Sequence, residues 1–231
     1  MSNIAARSRL AIALDTSDLD AAVSLARDVQ PSIGIAKVGL QLFSAAGQKA
    51  VEQIRELGMD VFLDVKLHDI PNTVFGASRV LGSLGARYLT VHASGGVEML
   101  QAAVSGLDEG ARIAGVAAPT VLAVTVLTSD PNATEEVLRG RVEAAVSANC
   151  GGIVCAASDL TVVRTVAPKI LTVVPGIRPT DTPTHDQARV ATPQSAIQSG
   201  ADILVIGRAV TNADSPAEAA KRIVEEVEQA L

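Results

Sequence analysis

The chain has 231 residues, 48% of them hydrophobic and 19% charged, far from the composition of disorder and long enough to bury about 70% of its unfolded surface around one core. Aromatic side chains make up 2% and the formal net charge is -6, which leaves few stacking platforms for single-stranded nucleic acid and no general attraction to phosphate backbones or anionic membranes. Any anion must be held at a local site, and neither nucleic acid nor membrane is expected as a partner.

In chain order, the first β-rich apolar run is Leu10 to Asp15, followed by a helical pattern from Asp18 to Gln30 with Thr16 and Ser17 as candidate caps. A second run, Ile33 to Gly39, leads into a helical pattern from Gln41 to Leu57 that stops at Gly58. Runs follow at Asp60 to Leu67, Arg87 to Ala93 and Thr120 to Thr128, then a helix from Thr134 to Asn149 ending at Gly151. The last runs are Gly152 to Ala156, Ile170 to Gly176 and Ile203 to Arg208, before a helix from Pro216 to Ala230 opened by a serine cap and a first-turn proline.

Several of these eight runs are continuous rather than strictly alternating, as expected of parallel strands covered on both faces. Dividing 231 residues by eight gives about 29 per unit, the size of a minimal βα repeat. The reading is a single (β/α)8 TIM barrel domain over residues 1–231, with a doubly wound open sheet as the alternative. No secretory leader opens the sequence and no segment approaches about 18 uninterrupted apolar residues. A cytoplasmic protein with Cys150 and Cys155 reduced is therefore expected.

A barrel places its chemistry at the carboxyl ends of the strands, often with a phosphate site after strands seven and eight. Polar residues at those ends include Asp15, Lys37, Asp64, Lys66, Asp69, His92, Thr125, Thr128, Arg178 and Arg208. The one long irregular stretch, Arg178 to Thr192, is read as an active-site lid, with a passive surface loop as the alternative.

The densest constellation is Leu63-Asp64-Val65-Lys66-Leu67-His68-Asp69-Ile70-Pro71-Asn72-Thr73. Strand alternation puts Asp64 and Lys66 on one side of the third strand, with Asp69 just beyond its end. A carboxylate about 4 Å from an ammonium contributes about 4 kcal/mol of attraction at an effective dielectric of 20 before desolvation, so Lys66 is read as a cation rather than a neutral nucleophile. A fixed cation among anions can stabilise a carbanion and then protonate it, as a decarboxylase without an electron-sink cofactor requires.

The segment Asp64-Val65-Lys66-Leu67-His68-Asp69-Ile70-Pro71-Asn72-Thr73 resembles the Asp-x-Lys-x-x-Asp-Ile-Pro-Asn-Thr signature of the bacterial orotidine 5'-monophosphate decarboxylase family. Supporting matches occur in order at Leu14-Asp15, Lys37-Val38-Gly39, Val91-His92-Ala93-Ser94-Gly95-Gly96, Val124-Thr125-Val126-Leu127-Thr128-Ser129, Pro175-Gly176-Ile177-Arg178, Asp186-Gln187 and Ile206-Gly207-Arg208, so the resemblance spans nearly the whole chain. It implies that Lys66 protonates C6 of the pyrimidine, that Asp64 lies near the departing carboxylate, and that Asp15 and Lys37 hold the ribose and complete the charge network. It further implies a homodimer in which Asp69 and Thr73 reach the partner's site. Thr128 would bond the pyrimidine amide edge, Pro175 would give apolar contact, and Arg178, Gln187, the Gly207 amide and Arg208 would bind phosphate. No cofactor and no metal are implied.

Competing chemistries predict different residues. His68, His92 and His185 could join Asp64 and Asp69 around a divalent metal, as in a metal-dependent sugar-phosphate decarboxylase or epimerase on a related barrel, but Lys66 in the same cluster would repel the ion. A Schiff-base aldolase would use Lys37 or Lys66, and a non-catalytic phosphate-ligand sensor would bind without turnover. Cys155 reads as a small buried hydrophobe and Cys150 as part of a helix end. The Gly95-Gly96 and Gly151-Gly152 pairs read as turn or helix-start signals, outside any nucleotide-loop pattern.

Overall fold

Eight parallel strands close into a barrel in strict chain order, with the first strand paired to both the second and the eighth. The computed structural model describes residues 6–127, 134–179 and 191–231. The strands are β1 (Leu10–Leu14), β2 (Ile35–Gly39), β3 (Asp60–Leu67), β4 (Tyr88–His92), β5 (Thr120–Val124), β6 (Gly152–Val154), β7 (Leu171–Val174) and β8 (Ile203–Ile206). Each falls within the run read from the sequence, so the architecture is the expected (β/α)8 TIM barrel rather than an open sheet. The fifth strand is shorter than its apolar run and ends at Val124.

The helices are α1 (Leu19–Val29), α2 (Leu40–Ala46), α3 (Gln48–Glu56), α4 (Pro71–Gly82), α5 (Gly96–Ala114), α6 (Glu135–Ser147), α7 (Leu160–Val166), α8 (Pro193–Gln198), α9 (Arg208–Thr211) and α10 (Pro216–Glu228). Two local expectations are corrected. The cap of α1 is Asp18, whose carboxylate accepts the Ala21 amide, rather than Thr16 or Ser17. The pattern from Gln41 to Leu57 is two helices, because Gly47 at φ 58 turns the chain between α2 and α3. Ser215 does occupy the cap position of α10, but without a side-chain capping bond.

Two apolar clusters organise the barrel. The larger lies between strands and helices, and the smaller joins Ala11, Ala13, Ile35, Phe62, Tyr88, Leu122, Val173, Ile203 and Val205 inside the barrel. Phe62 and Tyr88 meet edge to face there with ring centroids 6.1 Å apart; burying one such ring contributes about 1.5–3 kcal/mol. Side chains two residues apart share a face of a strand. Continuing the inward rows of Ile35, Phe62 and Tyr88 toward the carboxyl ends therefore gives Lys37, Asp64 and Thr90, all buried. The barrel interior changes from apolar to charged within one such step.

Candidate active site

Asp64 is the centre of the charged layer. Its residue is 8% exposed, and burial of an isolated carboxylate would be costly. Its Oδ1 accepts from Lys66 Nζ at 2.8 Å and from Thr90 Oγ1 at 2.9 Å, while Lys37 Nζ stands 3.5 Å from Oδ2. Burial pushes the Asp64 carboxyl upward, but the Lys37 and Lys66 charges, with hydrogen bonds from Lys66 and Thr90, outweigh it and hold the group below its ordinary range. Lys37 also donates to Asp15 Oδ1 at 3.0 Å. The chain thus runs Asp15, Lys37, Asp64, Lys66 in alternating sign.

Strand alternation predicts that Asp64 and Lys66 share a side, and they do meet, but the backbone reaches that contact differently. Leu63 pairs with Leu89 and Leu67 with Val91, so Asp64, Val65 and Lys66 on β3 stand opposite Thr90 alone on β4. The strand bulges there, and Lys66 takes φ 49, in the left-handed region. Such a backbone costs about 1–3 kcal/mol for a non-glycine residue. Hydrogen bonds to a charged group contribute about 1.5–3 kcal/mol each, enough to hold it.

Asp15, Lys37, Pro175, Arg178, Gly207 and Arg208 all border one open cleft of about 760 Å³. A smaller cavity of about 150 Å³ lies against it, with Asp64, Lys66 and Lys37 on one side and Phe62, Val124, Val126, Leu127, Val154 and Val205 as apolar wall. Lys37 and Pro175 border both cavities and so mark their junction. Arg178 is 5% exposed and follows β7, while Gly207 and Arg208 follow β8 directly, the expected pair of loops for a barrel's phosphate site.

Two expected residues are not drawn into this network within the chain. Asp69 is exposed and its Oδ1 accepts the neighbouring Ile70 amide at 2.7 Å; Thr73 is exposed in the first turn of α4. Among the described residues no ion pair joins Asp69 to Lys66, so the charged array within this chain is Asp15, Lys37, Asp64 and Lys66. Thr128 and Gln187 lie outside the described residues, as do His185, Asp186 and most of the stretch from Arg178 to Thr192 read as a lid. At the base of that stretch the Arg178 amide donates to the Ala191 carbonyl at 2.9 Å and the Ala191 amide to the Gly176 carbonyl at 3.2 Å.

His92 ends β4 and its ring lies 5.4 Å from that of His68. Burial, then the His68, Lys66 and Arg141 charges, lower its pKa against an opposing pull from Asp64. Sequence reasoning gave no part to Thr90 or Arg141, and named Gly39 only within the Lys37-Val38-Gly39 match. Thr90 was legible as the inward position between Tyr88 and His92. Gly39 and Arg141, whose guanidinium donates to the Thr125 carbonyl at 2.6 Å, depend on contacts between elements that no spacing reveals.

Residues 8–223 match the family described as Orotidine 5'-phosphate decarboxylase / HUMPS family. The chain is 50% identical to an orotidine 5'-phosphate decarboxylase of Anaeromyxobacter sp. (strain K), over 93% of this chain and 96% of that protein. It is 42% identical to the protein of that name from Syntrophomonas wolfei, over 97% and 99%. The crystal structure of orotidine 5'-phosphate decarboxylase from Lactobacillus acidophilus aligns with a TM-score of 0.81 at 31% identity, covering 95% of this chain and 99% of that one.

Proposed function

The chain belongs to the orotidine 5'-phosphate decarboxylase / HUMPS family, and from that premise we propose that it converts orotidine 5'-monophosphate to uridine 5'-monophosphate in de novo pyrimidine biosynthesis, without a cofactor. The observation that carries this reading is the Asp64 carboxylate held between two ammonium groups, where a small apolar cavity meets a larger cleft bordered by Asp15, Lys37, Arg178 and Arg208. A flat pyrimidine suits the first space, and a ribose phosphate the second.

In this reading the phosphate lies among Arg178, Gly207 and Arg208, the forked guanidinium being suited to it. The ribose lies over Asp15 and Lys37, with Pro175 at the turn into the smaller cavity. Gln187 adds to the phosphate site and Thr128 to the pyrimidine amide edge. The C6 carboxylate then faces Asp64 and Lys66. The bond from C6 to the carboxylate breaks, carbon dioxide leaves, and the electron pair stays on C6. The Lys66 ammonium stabilises that charge and transfers one proton to C6, becoming an amine that regains a proton from solvent.

A positioned acid supplies roughly 10² to 10⁴ in rate, so the fixed field of Lys37 and Lys66 and the binding energy of the distant phosphate must supply the rest. The metal-dependent sugar-phosphate reading fits less well, because both Asp64 oxygens already face ammonium groups that a divalent ion would have to displace. The active unit is a homodimer, with Asp69 and Thr73 entering the partner's site. Their place outside the protomer's own network, beside the 65% exposed Ile70, supports this. Among the described residues no helix is long and apolar enough to cross a membrane, and Cys150 and Cys155 are both buried; a cytoplasmic location belongs to the same proposal.

The test is ultraviolet-monitored decarboxylation of orotidine 5'-monophosphate by purified protein, with and without chelator, beside Lys66→Ala. Turnover that ignores chelator and falls at least about 10⁴-fold in a folded Lys66→Ala protein is expected. A folded dimer without turnover on this substrate, or an active Lys66→Ala variant, overturns the reading.

A further inference from the structure

The bulge in β3 puts an unusual demand on one side chain. Lys66 is in the left-handed region at φ 49, and its amide has left the regular ladder to β4. That amide donates instead to Thr90 Oγ1 at 2.9 Å, and the same hydroxyl donates to Asp64 Oδ1 at 2.9 Å. Thr90 is 1% exposed, so water cannot easily replace either bond. One hydroxyl uses its single proton on the carboxylate and its lone pair on the lysine backbone.

We propose that Thr90 is a positioning residue for Lys66, its hydroxyl fixing the lysine backbone and the Asp64 carboxylate in one frame so that the ammonium stands at the mouth of the small cavity. The two ends of the Lys66 side chain are then tied to the same carboxylate, Nζ directly at 2.8 Å and the backbone through Thr90. Without the hydroxyl, the bulge keeps its extra residues but loses the bond that selects this conformer. The β-branched side chain restricts χ1 on a strand, which fixes the direction of that bond and accounts for threonine in place of serine. Thr90 sits deep in the barrel and borders neither cavity, so it acts through Lys66 and not on substrate.

The role in turnover rests on the decarboxylase reading, while the bond itself does not, and the experiment separates them. Thr90→Val keeps shape and removes the hydroxyl; Thr90→Ser keeps the hydroxyl. In the parent protein and both variants, kcat and KM for orotidine 5'-monophosphate are measured, together with hydrogen exchange at the Lys66 amide by nuclear magnetic resonance. Misplacement by about 1 Å can cost about 100-fold. The expectation is a kcat lowered by about 10- to 100-fold in Thr90→Val, with KM within about threefold because the phosphate end is untouched, and recovery to within about threefold in Thr90→Ser. The Lys66 amide should lose protection in Thr90→Val and regain it in Thr90→Ser.

An unchanged kcat in folded Thr90→Val, a loss carried by KM, or failure of serine to restore the rate overturns the proposal. Unchanged Lys66 protection in Thr90→Val overturns it without reference to any substrate. If the parent does not turn over orotidine 5'-monophosphate, the decarboxylase reading fails and the exchange result alone decides whether Thr90 positions Lys66. If Thr90→Val does not fold, Thr90→Ala takes its place; if neither folds and Thr90→Ser does, the hydroxyl serves the fold rather than the reaction, and the proposal is overturned.

Discussion

Lys37 donates to Asp15 at 3.0 Å across the bare backbone of Gly39. A Cβ at Gly39 would sit 2.9 Å from Asp15 Oδ1 and 3.1 Å from Lys37 Nζ, so the ion pair occupies the space a side chain would take. The backbone of Gly39, at φ -84 and ψ 178, is open to any residue. The glycine is therefore required by the charges beside it and not by its own conformation.

Gly39→Ala should consequently fold with a melting temperature close to the parent's while displacing the Asp15 and Lys37 end of the network by tenths of an ångström. A fall of about tenfold in kcat/KM is the expected outcome. Steady-state kinetics beside a thermal melt checks it; unchanged kcat/KM would mean that the ion pair shifts without consequence.

How much of this was readable beforehand differs by element. All eight strands were legible because buried parallel strands are continuous apolar runs, and the charged layer was legible because Asp64, Lys66 and Lys37 end such runs. The helices α4 and α5 were not read, and both carry glycines, which are poor helix formers. In the fold those glycines let the two helices touch backbone to backbone: a Cβ on Gly82 would stand 2.5 Å from the Leu107 carbonyl oxygen, and one on Gly106 2.5 Å from that of Phe75. The bulge at Lys66 was hidden for a related reason, because register between β3 and β4 belongs to the pair and not to either segment.

The same test of space separates Gly207 from these cases. Its nearest neighbour for an added Cβ is the Ala13 methyl at 3.9 Å, an ordinary contact, and it borders the large cleft. Gly207→Ala should raise KM for orotidine 5'-monophosphate by about tenfold, a fraction of the binding available to a charged hydrogen bond. Orotidine, which lacks the phosphate, serves as control: if its kcat/KM falls in the same proportion, Gly207 does not face the phosphate.

His92 predicts a pH dependence of stability. Its pKa in the fold lies below the ordinary 6.5, first through burial and then through His68, Lys66 and Arg141. Below 6.5 the unfolded chain binds a proton that the folded protein refuses, so its contribution is intact above 6.5 and is lost as pH falls from there toward the folded value. Urea midpoints should fall between pH 7.5 and 5.5, and His92→Gln should flatten that interval relative to the parent. A variant with the parent's full slope would assign the effect to other groups.

The dimer proposal makes the sharpest quantitative prediction. If Asp69 completes the site of the partner, Lys66→Ala and Asp69→Ala proteins are each inactive, yet a mixed dimer of the two has one site with both residues intact, because the Asp69→Ala protomer keeps its own Lys66 and receives Asp69 from its partner. The other site lacks both. Random exchange places half of the protomers' dimers in the mixed class, each with half its sites intact, so co-refolded mixtures should recover roughly a quarter of the parent's activity per protomer. Asp69 acting within its own chain would give no recovery, since each protomer would then carry its own defect. Native mass spectrometry of the mixture, with the two variants distinguished by isotope labelling, establishes that mixed dimers formed; silent mixed dimers would return Asp69 to its own protomer, and an active Asp69→Ala protein would remove it from the chemistry.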